Sequence, residues 1–261
     1  MKLIEQTGRN TVRCLDEVGY GGSLFGESLF WFIFGYRWRQ PVRPNSIAVQ
    51  MMQVGIEALP IATLLSITIG VMLAVQSIYS LGLFGAESYA HVGIALTLTR
   101  EFSPLIIAIL IAGRSGSALA ARLSSMTINQ EVDALRAIGI NPVRFLVAPT
   151  LIALVVMVPA LTMWSNLVAM TAAGLYVSQA IDISLGAYWV NTIEVLSTVD
   201  LLHGLSKSVI FGVLIAVVAA INGSMVTGGS EGVGRMTTRA VVHILSAIIV
   251  TDMIFALLFT Q

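Results

Sequence analysis

Arg100 and Glu101 stand side by side in a stretch otherwise free of charge. Ser88–Thr99 and Phe102–Gly113 contain no Asp, Glu, Lys or Arg, and with the pair between them they make one segment of bilayer length. An ionised side chain at that depth costs roughly 2.5–3.5 kcal/mol on insertion scales, so a chain keeps it there mainly for a pathway, a ligand or a partner. Neighbours on a helix point about 100° apart, so the two cannot both face one partner squarely. Two compatible readings follow. The pair serves a substrate path, or it locks the bundle as an interhelical ion pair with His243 or Asp252.

Other chemistries find little support. His91, His203 and His243 lack metal-ligand spacing and Cys14 is the single cysteine, so neither a metal centre nor an internal disulfide is expected. Cys14 reads as a reduced thiol in a polar N-terminal segment. No nucleophile–base pair is visible, which argues against an intramembrane enzyme. His243 and Asp252 lie nine residues apart, about two and a half turns, which sets them on roughly opposite sides of a helix and weakens a proton relay. The only lysines are Lys2 and Lys207, and neither follows a glycine. There is no P-loop, so ATP-driven work would need an ATPase on another chain. Gly223–Gly234 is glycine-rich but lacks Gly-Lys-Ser/Thr, and it reads as a flexible inner loop.

The elements that must position the pair come from composition. The chain has 261 residues, 56% hydrophobic and 11% charged, against about 25% charged in a soluble domain. The predicted class is an all-α integral membrane protein. A formal net charge of zero argues against nucleic acid as a partner. No cleavable signal peptide is expected, because residues 1–22 are polar and the first apolar run, Leu24–Phe34, is interrupted by Glu27. A spanning helix needs about 20 mainly apolar residues. Five segments qualify: Ala58–Phe84, Ser88–Gly113, Phe145–Ile181, Leu201–Val226 and Ala240–Phe259. Ile183–Val199, broken by Glu194, reads as a short external helix or loop.

Basic residues orient these spans. Arg37, Arg39 and Arg43 precede the first span. Arg114, Arg122, Arg136 and Arg144 fall between the second and third, and Arg235 and Arg239 between the fourth and fifth. The opposite loops carry Glu87, Asp182, Glu194 and Asp200 and no Lys or Arg. The positive-inside rule then places the N-terminus in the cytoplasm and Gln261 outside. Lys207, near the outer end of the fourth span, is the one exception. Ser23–Arg39 is too short and too aromatic to span, and with Trp31, Tyr36 and Trp38 it suits an interfacial helix on the inner leaflet. Pro41 and Pro44 break the chain after it. The expected division is residues 1–44, cytoplasmic and interfacial, and 45–261, a five-helix transmembrane domain.

Three further patterns stand out. Leu73, Gln76, Ser77, Ser80, Leu81 and Phe84 share one helical face, which suits either a pocket for an amphipathic molecule or a helix–helix contact. Ala112, Gly116 and Ala120, with Gly113, Ser117 and Ala121, space small residues four apart and let helix backbones approach. Thr127–Pro142 reads as a short cytoplasmic helix (about 125–139). Thr127 and Gln130 fit a capping box, Ile128, Val132 and Leu135 form an apolar stripe, Glu131, Asp133 and Arg136 take the polar side, and Gly139 with Asn141-Pro142 stops it. Such a helix suits docking into a groove on a soluble partner.

Residues 112–150, AGRSGSALAARLSSMTINQEVDALRAIGINPVRFLVAPT, resemble the signature of the MlaE/YrbE permeases, the membrane subunits of bacterial ABC transporters that work with MCE-domain proteins. The resemblance runs from about Val54 to the C-terminus and includes Arg100-Glu101-Phe102-Ser103-Pro104 and Thr237–His243. It implies a homodimer in the bacterial inner membrane, beneath which sit two MlaF-like ABC ATPases, each binding an MlaB-like STAS-domain protein. A hexameric MlaD-like MCE ring lies on the outer side, and phospholipid occupies a cavity between the two permease halves that opens toward the ring. ATP and Mg would be held by the ATPase, and no cofactor by this chain. The resemblance makes Thr127–Ile138 the coupling helix (Ile128, Glu131, Val132, Asp133, Leu135, Arg136). It makes Glu101, with Arg100 beside it, the polar site facing lipid, and Leu73, Gln76, Leu81 and Phe84 the pocket wall. Two positions depart from the pattern. Arg122-Leu123-Ser124 stands where an acidic residue and a glycine are usual, and Gln130-Glu131 opens the coupling helix. The alternatives are a permease for another hydrophobic compound, such as a sterol or a solvent, and a proton-coupled secondary transporter using Glu101, His243 and Asp252.

Overall fold

The computed structural model describes residues 16, 19–31 and 43–259, and every regular element among them is helical. We number the helices α1 (19–31), α2 (Pro44–Gly82), α3 (Glu87–Ile128), α4 (Glu131–Ala137), α5 (Val143–Ala180), α6 (Leu185–Val195), α7 (Thr198–Ser224) and α8 (Gly229–Phe259). Five of them, α2, α3, α5, α7 and α8, are long and apolar enough to cross a membrane. The all-α membrane class and the five spans therefore hold.

The boundaries differ for local reasons. α2 starts at Pro44, because proline fits a first helical position where no N–H bond is required, and it ends at Gly82, so Phe84 lies in the turn beyond. α3 runs on to Ile128, a helix of 42 residues. Residues 225–228 alone separate α7 from α8, with Gly228 and Gly229 at φ +91° and +69°. Most of the glycine-rich stretch expected as a loop is thus helical. The proposed interfacial segment lies outside the described residues at 32–39.

The chain forms two compact units. One comprises residues 52–111, 155–212 and 248–261. Its apolar core holds Ala74 of α2, Ile94 and Leu98 of α3, Met170 and Ala173 of α5, and Tyr188 of α6. Polar side chains join α2 to α5 as well: Ser66 Oγ donates to Ser165 Oγ at 2.8 Å, and Trp164 Nε1 to Thr63 Oγ1 at 2.9 Å. Within a membrane such bonds hold helices together where apolar contact with lipid would serve equally well. α6 docks through Tyr188, whose side chain is fully buried. Burial pushes its phenol pKa up and keeps it neutral.

The other unit comprises residues 1–51, 112–154 and 213–247. Here one of the two small-residue rows is packed, whereas Gly113 is exposed and Ser117 and Ala121 are half-buried. Ala112, Gly116 and Ala120 are all buried, and α7 approaches the end of that row. Ser124 Oγ donates to the Gly223 carbonyl at 3.2 Å. A Cβ on Gly223 would fall 2.7 Å from Leu123 Cβ and 2.9 Å from the Ala120 carbonyl oxygen, closer than atoms pack. Gly223→Val should therefore cost about 1–3 kcal/mol through overpacking. Thermal unfolding in detergent measures this, and a wild-type melting temperature would show that the two helices can separate freely at that point.

Candidate functional site

The α3 backbone changes pitch where the charges sit. Leu98–Phe102 is a π-turn, in which the Ser103 N–H reaches back five residues to the Leu98 carbonyl. The wider turn alters the angular spacing of successive side chains, and both Arg100 and Glu101 find partners on α7. Arg100 Nε donates to Asp200 Oδ1 at 2.5 Å. Lys207 Nζ donates to Glu101 Oε2 at 2.5 Å and to the Arg100 carbonyl at 3.3 Å. Asp200 and Lys207 are seven residues apart, two turns along one face of α7.

Gly204 lies between those two anchors. A Cβ there would stand 2.2 Å from the Thr99 carbonyl oxygen, so only glycine lets α7 come close enough for both ion pairs. α8 supplies the last member of the set. Asp252 Oδ1 lies 2.8 Å from Lys207 Nζ, close in distance but outside hydrogen-bond alignment. Asp200 has further support from Ser197. Its carboxylate accepts from the Ser197 N–H at 2.9 Å and hydroxyl at 2.8 Å, and its own N–H donates to Ser197 Oγ at 3.3 Å. This reciprocal pairing is a capping box at the start of α7.

Burial divides the set. The Lys207 side chain is fully buried and that of Asp200 is 3% exposed, whereas Arg100 and Glu101 are 43% and 37% exposed. Two cations face three carboxylates, a formal balance of −1. The inner members are fully engaged, and the accessible ends are the two residues singled out from the sequence. Of the expected partners, Asp252 enters the network, through Lys207, whereas His243 belongs to the other compact unit. Asp200 and Lys207 were not anticipated. The sequence carries a signal for the first: Ser197-Thr198-Val199-Asp200 has capping-box spacing.

The proposed pocket wall on α2 separates into two groups. Leu73 and Leu81 pack onto the apolar core together with Phe102, one residue beyond Glu101. Gln76 points outward and donates to Ser80 Oγ at 3.3 Å. Phe84 is 83% exposed.

The proposed coupling segment is split rather than continuous. Thr127 makes no capping box, because its Oγ1 donates to the Leu123 carbonyl within α3. Ile128 ends α3, Gln130 turns the chain with φ +60°, and α4 begins at Glu131. Val132 and Leu135 are half-buried and Glu131, Asp133 and Arg136 exposed. The Arg136–Asp133 ion pair at 3.1 Å lies in open solvent and contributes little. α4 thus presents an exposed acidic surface whose internal contacts, Asp133 with Arg136 and Glu131 with Asn129, are all local and solvent-exposed.

A family model described as permease MlaE matches residues 47–258. The chain belongs to the MlaE permease family. It is 30% identical over 260 residues to a probable ABC transporter permease protein of Rickettsia prowazekii, covering 99% of this chain and 98% of that one. It is 35% identical to a probable ABC transporter permease protein of Synechocystis, with 81% of each chain covered. The chloroplast protein TRIGALACTOSYLDIACYLGLYCEROL 1 of Arabidopsis thaliana is 32% identical, covering 81% of this chain and 61% of the plant protein. Membership of the MlaE family makes this chain the membrane subunit of an ABC transporter and implies an ATPase partner.

In this MlaE-family chain, Lys207→Met should be strongly destabilising. It leaves Glu101 and Asp252 without their shared cation, and breaking a buried pair costs about 3–5 kcal/mol. Adding Glu101→Gln should recover part of the loss. Denaturation in detergent tests both, and a Lys207→Met protein as stable as wild type would mean that the network carries no stability.

Proposed function

We propose that this chain is the permease subunit of an ABC transporter that moves phospholipid between the bacterial inner membrane and a periplasmic MCE-protein carrier, and so maintains outer-membrane lipid asymmetry. The family match over residues 47–258 carries this reading. The name of the chloroplast relative, a galactolipid, supports a lipid cargo. The charged network supports a polar headgroup: Arg100 and Glu101 are its accessible ends, in the middle of a spanning helix. In this proposal the Arg100 guanidinium attracts the phosphate and the Glu101 carboxylate tunes its grip. Exposed Gln76 and Phe84 border the acyl chains, backed by Leu73 and Leu81.

The proposed assembly is a homodimer with an MlaF-like ATPase under each copy, an MlaB-like STAS protein on each ATPase and an MlaD-like MCE hexamer outside. ATP and Mg sit in the ATPase and this chain holds no cofactor. Ile128, Glu131, Val132, Asp133, Leu135 and Arg136 meet the ATPase. The arginine asymmetry supports a cytoplasmic N-terminus and a periplasmic Gln261, with α1 on the inner leaflet and α4 in the cytoplasm.

Purification of the complex from its native membrane tests this reading. The ATPase and the MCE protein should co-elute, and mass spectrometry should find phospholipid. Reversing Glu131 and Asp133 to Lys should release the ATPase while the permease still inserts. A co-purified sterol, or retention of the ATPase by the reversed variant, would contradict the lipid assignment and the coupling assignment respectively.

A further inference from the structure

α1 lies outside the stretch matched by the family model, and the transport reading gives it no task. Its only charged residue, Glu27, interrupts an apolar run. Glu27 Oε1 accepts a hydrogen bond from Asn141 Nδ2 at 2.5 Å. The same Asn141 side chain has a second role: its Oδ1 accepts from the Val143 and Arg144 backbone N–H groups at 2.9 and 3.2 Å, capping the first turn of α5. One amide thus ties α1 to the start of α5, at the point where the chain leaves α4. A second contact reinforces it, the Arg144 guanidinium lying 5.3 Å from the Trp31 ring centre, within cation–π range.

α1 is itself firmly seated. Leu24 is buried, and a Cβ on Gly21 would fall 2.7 Å from Ile221 Cδ1 on α7. α4 is held less tightly. None of its residues is fully buried, and left-handed residues bracket it, Gln130 at φ +60° and Gly139 at φ +79°. Beneath it lies a cavity of about 50 Å³, bordered by Val132 and Arg136 of α4 and by Tyr20 and Leu24 of α1. α4 is therefore set off by a turn on each side and packs loosely over a small cavity. What fixes its exit is the bond from Asn141 to a carboxylate, of the stronger charge-assisted kind.

We propose that Glu27 and Asn141 form a positioning latch, by which α1 holds the exit of α4 so that a push on α4 is delivered to α5. The proposal rests on the assignment of α4 as the segment that meets the ATPase. With the latch intact, displacement of α4 must carry the α5 N-terminus with it. With the latch broken, α4 can shift without carrying the α5 N-terminus and the ATPase stroke is lost. Glu27 and Asn141 touch no substrate and act only through the geometry of α4.

A donor–acceptor exchange tests this. Asn141→Asp keeps the oxygen that caps α5 but removes the donor and sets two carboxylates against each other. Adding Glu27→Gln restores the bond with the roles reversed. Two readouts on the intact complex separate the possibilities. Amide hydrogen exchange over Glu131–Ala137 should rise about tenfold in Asn141→Asp, as expected for one lost charge-assisted bond. ATP hydrolysed per phospholipid transferred should rise by a similar factor with the ATPase still bound, and the double variant should return both to within about twofold of wild type. Wild-type exchange in Asn141→Asp, or no rescue by the second substitution, overturns the latch. Exchange that responds while ATP per lipid stays unchanged makes the bond a mere brace and also overturns the proposal. A wild-type complex that moves no phospholipid fails the transport reading instead, and the latch is then judged on exchange together with the complex's ATP hydrolysis rate, a rise in exchange with unchanged hydrolysis overturning it.

Discussion

A buried ammonium group sets the terms for this structure. The Lys207 side chain is fully enclosed, and the idealised cost of moving such an ion into a medium of low dielectric is of order 20 kcal/mol, with several remaining after relaxation. Glu101, Asp252 and the Arg100 carbonyl must therefore all be in place. Those groups belong to α3 and α8, so one lysine on α7 ties three spanning helices together. The π-turn at Leu98–Phe102 and the missing side chain at Gly204 are the local adjustments that permit the approach. Arg100 and Asp200 close a second pair two turns away, with Asp200 pre-positioned by Ser197.

The same arrangement leaves a function-bearing remainder. The network buries Lys207 and Asp200. Here Arg100 and Glu101 keep more than a third of their side-chain surface accessible. Exposed charge at the middle of a spanning helix is costly in lipid unless a polar group meets it. A phospholipid headgroup is such a group, and the MlaE-family membership supplies an independent reason to expect a lipid. In the proposed function the pair therefore has two roles, an ion-paired side facing α7 and an accessible side offered to the headgroup.

Much of the fold was legible in the sequence because bilayer chemistry leaves coarse marks. Five apolar runs of spanning length, and a small-residue row at Ala112, Gly116 and Ala120, translate directly into helices and a close contact. Arg100 and Glu101 announced themselves by being charged where nothing else was. Their partners did not. Lys207 looked like an exception to a charge-asymmetry rule that concerns loops, whereas its place in the fold is a buried counter-ion. Asp200 looked like a loop acid, although Ser197 three residues before it carries the spacing of a helix cap. The split at Gln130 was hidden for another reason: the Thr127 hydroxyl can accept from an N–H ahead or donate to a carbonyl behind, and here it donates to the Leu123 carbonyl of the preceding turn instead of opening a new helix. No residue pattern marks the π-turn at Leu98–Phe102.

The central claim is that the network serves lipid passage as well as the fold. A neutralised triad separates the two. Glu101→Gln, Lys207→Met and Asp252→Asn together neutralise the cluster around Lys207 and leave the Arg100–Asp200 pair intact, and replacing a buried ion network with neutral groups is often neutral for stability or better. The direct measurement is ATP-driven transfer of labelled phospholipid by the reconstituted complex carrying that triple variant. The account predicts a folded, ATPase-bound permease whose lipid transfer has largely stopped. Transfer at the wild-type rate would contradict it, and would reduce the charges of α3 to a device for holding helices together.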